Sequence, residues 1–188
     1  MQRETLNSFI LTSIIATMLI AACGGSKKSA DTAEGEGGGA ASSVTDQANA
    51  YMSQAAISLS EEDYQGALAS YLAAADIYDK EGAISVERAE AHFLAADLAY
   101  QIGEKQLAID EYDESVKIYL RFKGNAKMKA ANALNNMGTI YKELQHKSKA
   151  ANCWNRALQI YQEFPEADRN TANMQMIEQN LRDLNEGF

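Results

Sequence analysis

Residues 148–161 read SKAANCWNRALQIY, and the chain repeats their pattern in DYQGALASYLAAADIY at 63–78 and EKQLAIDEYDESVKIY at 104–119. A shared alanine falls at Ala67, Ala108 and Ala150, with an aromatic four residues on at Tyr71, Tyr112 and Trp154. A small residue follows at Ala74, Ser115 and Ala157, and each copy closes on Ile-Tyr: Ile77-Tyr78, Ile118-Tyr119 and Ile160-Tyr161. The period is 41 and then 42 residues. Fixed self-similarity at such a period is the mark of a repeat architecture. Spacings of three and four put these residues on one helical face, where small side chains let a neighbour approach and aromatics fill the gap.

Upstream of each copy lies a second helical stretch: Ala48–Ser60, Val86–Ile102 and Lys129–Leu144. Small residues recur there at Ala55, Ala96 and Gly138, twelve positions before the shared alanine. Each unit therefore reads as helix, short turn, helix. Gly82 and Gly124 stand between units, where a helix C-terminus favours positive φ. Pro165, the only proline, ends the sixth helix. Asp168 is the expected cap of a further helix to about Asn185, with Met174, Ile177, Leu181 and Leu184 along one stripe. Such a helix would cover the open hydrophobic end of the array.

The third copy reads Leu134-x₂-Met137-Gly138-x₂-Tyr141-x₈-Ala150-x₃-Trp154-x₂-Ala157. It resembles the tetratricopeptide repeat (TPR). Copies one and two match mainly in their second helices, with Ser58 and Ala99 where the family prefers tyrosine. The long period is similar to the 40–42-residue repeats of kinesin light chains, and ALNNMGTIYKE (133–143) is especially close to them. The resemblance implies an all-α, right-handed α-solenoid of three repeats (about 47–82, 86–124 and 129–164) and a capping helix at about 168–185.

It also implies that the first helices line a concave groove for a peptide or a partner's helix. Carried over residue by residue, the groove takes Asn49, Met52, Ala56 and Leu59 from the first repeat. The second contributes Glu90, Phe93, Asp97 and Tyr100; the third contributes Asn132, Asn135, Thr139 and Lys142. A clamp for a C-terminal carboxylate is not expected, because Glu90 and Asp97 would repel it and Lys142 is the one base in the set.

The first 46 residues differ from the rest. Phe9 to Ala22 is apolar apart from Thr12, Ser13 and Thr17, long enough for a signal-peptide core but short of the ~20 residues of a spanning helix. Ile20-Ala21-Ala22-Cys23 resembles the lipobox of bacterial lipoproteins. That likeness implies removal of residues 1–22 and lipidation of Cys23 with several acyl chains, palmitate among them, which together make a durable anchor. Gly24, rather than aspartate, favours the outer membrane, facing the periplasm. Residues 24–46, rich in Gly, Ala and Ser, read as a flexible tether with an r.m.s. span of roughly 25–30 Å.

Other chemistry finds little support. With Cys23 and Cys153 the only cysteines, no disulfide framework or CxxC motif is possible, and His92 and His146 lack metal-ligand spacing. A net charge of −9 argues against nucleic acid as a partner. No nucleophile elbow, HExxH or phosphate loop occurs, so neither an enzyme nor a cofactor is expected. Cys153, beside Trp154, reads as a small buried hydrophobe. The expected function is that of a membrane-tethered scaffold in envelope assembly or maintenance that binds another envelope protein. The alternative is a structural module that associates with copies of itself.

Overall fold

The computed structural model describes residues 39–165 and 169–186, and these fall within one unit, 38–188. The signal segment, Cys23, most of the tether and Asp168 lie outside the described residues. Among the described residues seven helices follow one another: α1 (Gly39–Ser60), α2 (Tyr64–Glu81), α3 (Val86–Gln101), α4 (Lys105–Tyr119), α5 (Asn125–Glu143), α6 (Lys147–Gln162) and α7 (Thr171–Asn185). No strand occurs among the described residues. The repeats are the hairpins α1–α2, α3–α4 and α5–α6; α7 packs against both α5 and α6.

The three hairpin turns are built alike. Glu62, Gly103 and Gln145 adopt positive φ (60°, 92° and 63°), at positions related by the repeat period. The following amide donates back across the helix end: Asp63 to the carbonyl of Ser58, Glu104 to Ala99 and His146 to Tyr141, each at 2.8 Å. This is a Schellman closure, which satisfies carbonyls the helix leaves open. Helix starts draw on side-chain acceptors, worth about 1 kcal/mol each. Asp63 caps α2, Ser85 caps α3 and Asn170 caps α7 through the amide of Asn173.

Three boundaries differ from the sequence reading. α1 begins at Gly39, inside the segment read as tether. Once Ala48 and Ala55 are buried, extending the helix back through Ala40 and Ala41 adds one hydrogen bond per residue fixed. α5 begins at Asn125, four residues before Lys129. Gly82 does end α2 in the left-handed conformation, but Gly124 sits at the entrance of α5 while α4 has already ended at Tyr119.

The core is a column of small residues and aromatics. Ala55, Ala67, Ala96, Ala108 and Ala150 are fully buried, as are Tyr71, Tyr112 and Trp154. Repeat three exchanges the Ala–Tyr pair (Ala55 with Tyr71, Ala96 with Tyr112) for Gly138 with Trp154. A Cβ on Gly138 would stand 2.4 Å from the indole Nε1, so the larger ring needs the missing methyl.

Candidate functional site

The first helices of the repeats are tied to the second by one recurring bond. The hydroxyl of each closing tyrosine donates to a side chain 29 residues earlier: Tyr78 to Asn49 (2.9 Å), Tyr119 to Glu90 (2.5 Å) and Tyr161 to Asn132 (2.6 Å). A buried hydroxyl needs a partner, and the polar residues of the expected groove supply it. Burial, then the nearby Glu90 carboxylate, raises the Tyr119 pKa, so this hydroxyl stays a neutral donor.

Neighbouring first helices are joined differently along the face. Between α3 and α5, Lys129 pairs with Glu90, Asn136 donates to Asp97 (3.3 Å), and Tyr100 donates to Glu143 (2.5 Å). Between α5 and α7, Asn173 donates to Asn132 (3.3 Å) and Lys142 to Asn180 (2.9 Å). Between α1 and α3, no hydrogen bond crosses from residues 49–60 among the described residues. The reason lies in the aromatics below. The Tyr112 hydroxyl donates to Asp97 and accepts from Asn136 at 3.0 Å. One repeat earlier those two positions are Ala56 and Leu94, and the buried Tyr71 hydroxyl has no hydrogen-bond partner.

Asp97 is the distinctive ionisable group of this face. Burial raises its pKa to about 6, against the lowering effect of bonds from Tyr112 and Asn136, with Glu90 adding repulsion. Neutral donors alone hold it. Tyr71 is pushed up to about 12 by burial and by the Glu90 and Asp97 carboxylates, which places its hydroxyl in their field.

Of the expected groove residues, Asn49, Glu90, Asp97 and Asn132 hold tyrosine hydroxyls, and Tyr100 and Lys142 bond to the next first helix. Phe93 is half-buried and meets Tyr112 edge-on at 5.6 Å. Asn135 is buried, its carbonyl accepting from the Trp154 indole at 3.2 Å. Met52, Ala56, Leu59 and Thr139 are half-buried; of these only Thr139 hydrogen-bonds, to the Asn135 carbonyl. Lys129, Asn136 and Glu143 were not among the expected residues. Their signal is a seven-residue spacing along α5, which places them on one face.

Away from this face, His92 lies buried between α2 and α4. Its Nδ1 is 2.7 Å from Glu111 and its Nε2 3.0 Å from Asp79, which also accepts from Arg88. Burial alone would lower the imidazole pKa, but the two carboxylates raise it overall. With acceptors on both nitrogens, the doubly protonated ring satisfies both bonds. Among the described residues no group of His, Cys, Asp and Glu is arranged to hold a metal ion.

The chain is similar in fold to solved TPR-type structures. It aligns with BtubC (BKLC) from P. vanneervenii at a TM-score of 0.63 and 21% identity, over 74% of this chain and 55% of that one. The chain thus spans little more than half of that protein's length. The Arabidopsis OM64 TPR domain aligns at 0.55 and 14% identity, covering 74% of this chain and 98% of that domain. The first TPR of Spaghetti (RPAP3), solved bound to the HSP90 peptide SRMEEVD, aligns at 0.51 and 16%, covering 73% and 95%. No protein-family model and no curated protein matches the chain. The fold is a TPR superhelical solenoid.

Proposed function

We propose, from a chain folded as a TPR solenoid, that this protein is a docking scaffold that receives a partner segment on the face of α1, α3 and α5. The observation that carries this reading is the incomplete α1–α3 seam. The same fold closes its other two seams with side-chain bonds, and leaves half-buried Met52, Ala56 and Leu59 without them. Met52 and Leu59 pack on the core with one side and stay part-exposed with the other, the kind of apolar position on which a docked segment can anchor. The solved likeness to a peptide-bound TPR lends support at the level of fold alone.

On the same reading the scaffold sits at a membrane, for which the support is a short sequence likeness. The lipobox-like Ile20-Ala21-Ala22-Cys23 would anchor it by lipid at Cys23, with the outer membrane favoured and an envelope protein as partner. The absence of catalytic motifs fits a role in holding rather than transforming. Crosslinking in the native envelope should capture one dominant partner, weakened by Ala56→Arg with an unchanged melting temperature. An unchanged crosslinking profile would remove this face from consideration. Phe93→Ala and Tyr100→Ala should weaken capture too, but they also disturb the Tyr112 contact and the Glu143 bond.

A second reading, self-association, draws on exposed apolar residues near both ends of the array: Tyr51 and Ile57 on α1 and Met176 on α7. It predicts oligomers that grow with concentration in light scattering; a monodisperse monomer discards it.

A further inference from the structure

Charge is segregated along the solenoid. Residues 44–124 carry 15 Asp and Glu against six Lys and Arg, a net −9, whereas residues 125–164 carry two against six, a net +4. The acidic half includes the open α1–α3 seam. On the α3 side of that seam stand Glu87 and Leu94, two turns apart; Glu87 is exposed and makes no ion pair among the described residues, while Asp97, one turn on toward α5, is held by neutral donors only. Glu90, a turn from Asp97, is shared with Lys129 and Tyr119. Beneath lies the Tyr71 hydroxyl, 1% exposed as a residue, within the field of Glu90 and Asp97 and without a hydrogen-bond partner. A buried hydroxyl without a partner is rare, and in the next repeat the fold supplies two.

These features ask for the same occupant. Resting on the docking reading above, we infer that the partner segment is cationic and seats between α1 and α3, with Lys or Arg against the exposed Glu87 in the field of Glu90 and Asp97, and an apolar side chain on Met52, Leu59 and Leu94. The positive third repeat would turn the basic part of such a segment toward the first two, fixing its direction along the face. An acidic tail, by contrast, would meet Glu87 and the net negative charge of the first two repeats.

The test is selection of random displayed peptides on the full chain, followed by titration of the best binder by fluorescence anisotropy. Selected sequences should be enriched in Lys and Arg over Asp and Glu, and salt should weaken the complex. Ala56→Arg and Glu87→Lys should each reduce affinity about tenfold or more, whereas Lys147→Glu in the third repeat leaves it unchanged. Enrichment in acidic residues, failure to select any peptide, or a binder indifferent to Ala56→Arg and Glu87→Lys would each overturn the inference. Acidic or neutral peptides that are still lost with Ala56→Arg would sink the cationic partner and leave the docking face standing. Binders whose crosslinks map outside α1, α3 and α5 would sink both.

Discussion

Tyr71 and Tyr112 occupy the same register in successive repeats, are equally buried, and differ in what their hydroxyls meet. Tyr112 lies under a seam closed by Asp97 and Asn136; Tyr71 lies under one lined by Ala56 and Leu94. The aromatic fills the same gap in both, so the packing role does not need the hydroxyl. The difference shows that the fold tolerates an unclosed seam at one place, and that place lies in its acidic half.

The largest effect is expected in the third repeat, which sets the limit on what the aromatic layer accepts. Gly138→Ala should destabilise by about 2 kcal/mol, overpacking against Trp154 outweighing the gain in helix propensity. Adding Trp154→Tyr recreates the pair used by the first two repeats and should recover part of the loss in a double-mutant cycle; strict additivity would refute the pairing. Next come the tyrosines. Tyr112→Phe leaves Asp97 and Asn136 short of a partner and should cost about 1–2 kcal/mol by urea denaturation, while Tyr71→Phe should be neutral or slightly stabilising. Equal losses at both would erase the contrast between the seams.

The pH profile tests the same groups. The folded pKa of Asp97 lies above its ordinary value, so its contribution to stability falls as pH rises from about 4 to 6. Asp97→Asn should flatten that interval. His92 is also raised, by Glu111 and Asp79, so its contribution is full below about 6.5 and is lost as pH climbs through the folded value. His92→Gln should remove the alkaline decline in melting temperature. The smallest effect belongs to the hairpin turns. Glu62→Gly and Gln145→Gly, at positions where the second repeat already has Gly103, should each stabilise by about 0.5–1 kcal/mol.

Much of the fold was legible because alanines and aromatics at fixed spacing leave one way to stack the helices. The shared alanines, Tyr71, Tyr112, Trp154 and the closing tyrosines are all buried where the pattern placed them. Helix starts were less legible: Gly39 and Asn125 begin helices through propagation from buried turns, which carries no motif. Asn170 caps α7, while Asp168, expected in that role, lies outside the described residues. The face of the first helices was identified as a set, but not the work of its members. That Asn49, Glu90 and Asn132 hold tyrosines follows from a polar residue 29 positions before each closing tyrosine, a signal visible only once the hairpin geometry is known. His92 was read only as lacking metal-ligand spacing; its ion pairs were not legible because Asp79 and Glu111 reach it from two other helices.

The docking claim is tested most directly by photocrosslinking residues placed singly at Leu59 and at Thr139 of the full chain in the cells that express it. Both positions are half-buried on first helices, one in the acidic first repeat and one in the basic third. A defined adduct from Leu59, abolished by Ala56→Arg, with little from Thr139, is the predicted result. Equal adducts from both positions, or a stronger one from Thr139, would contradict it.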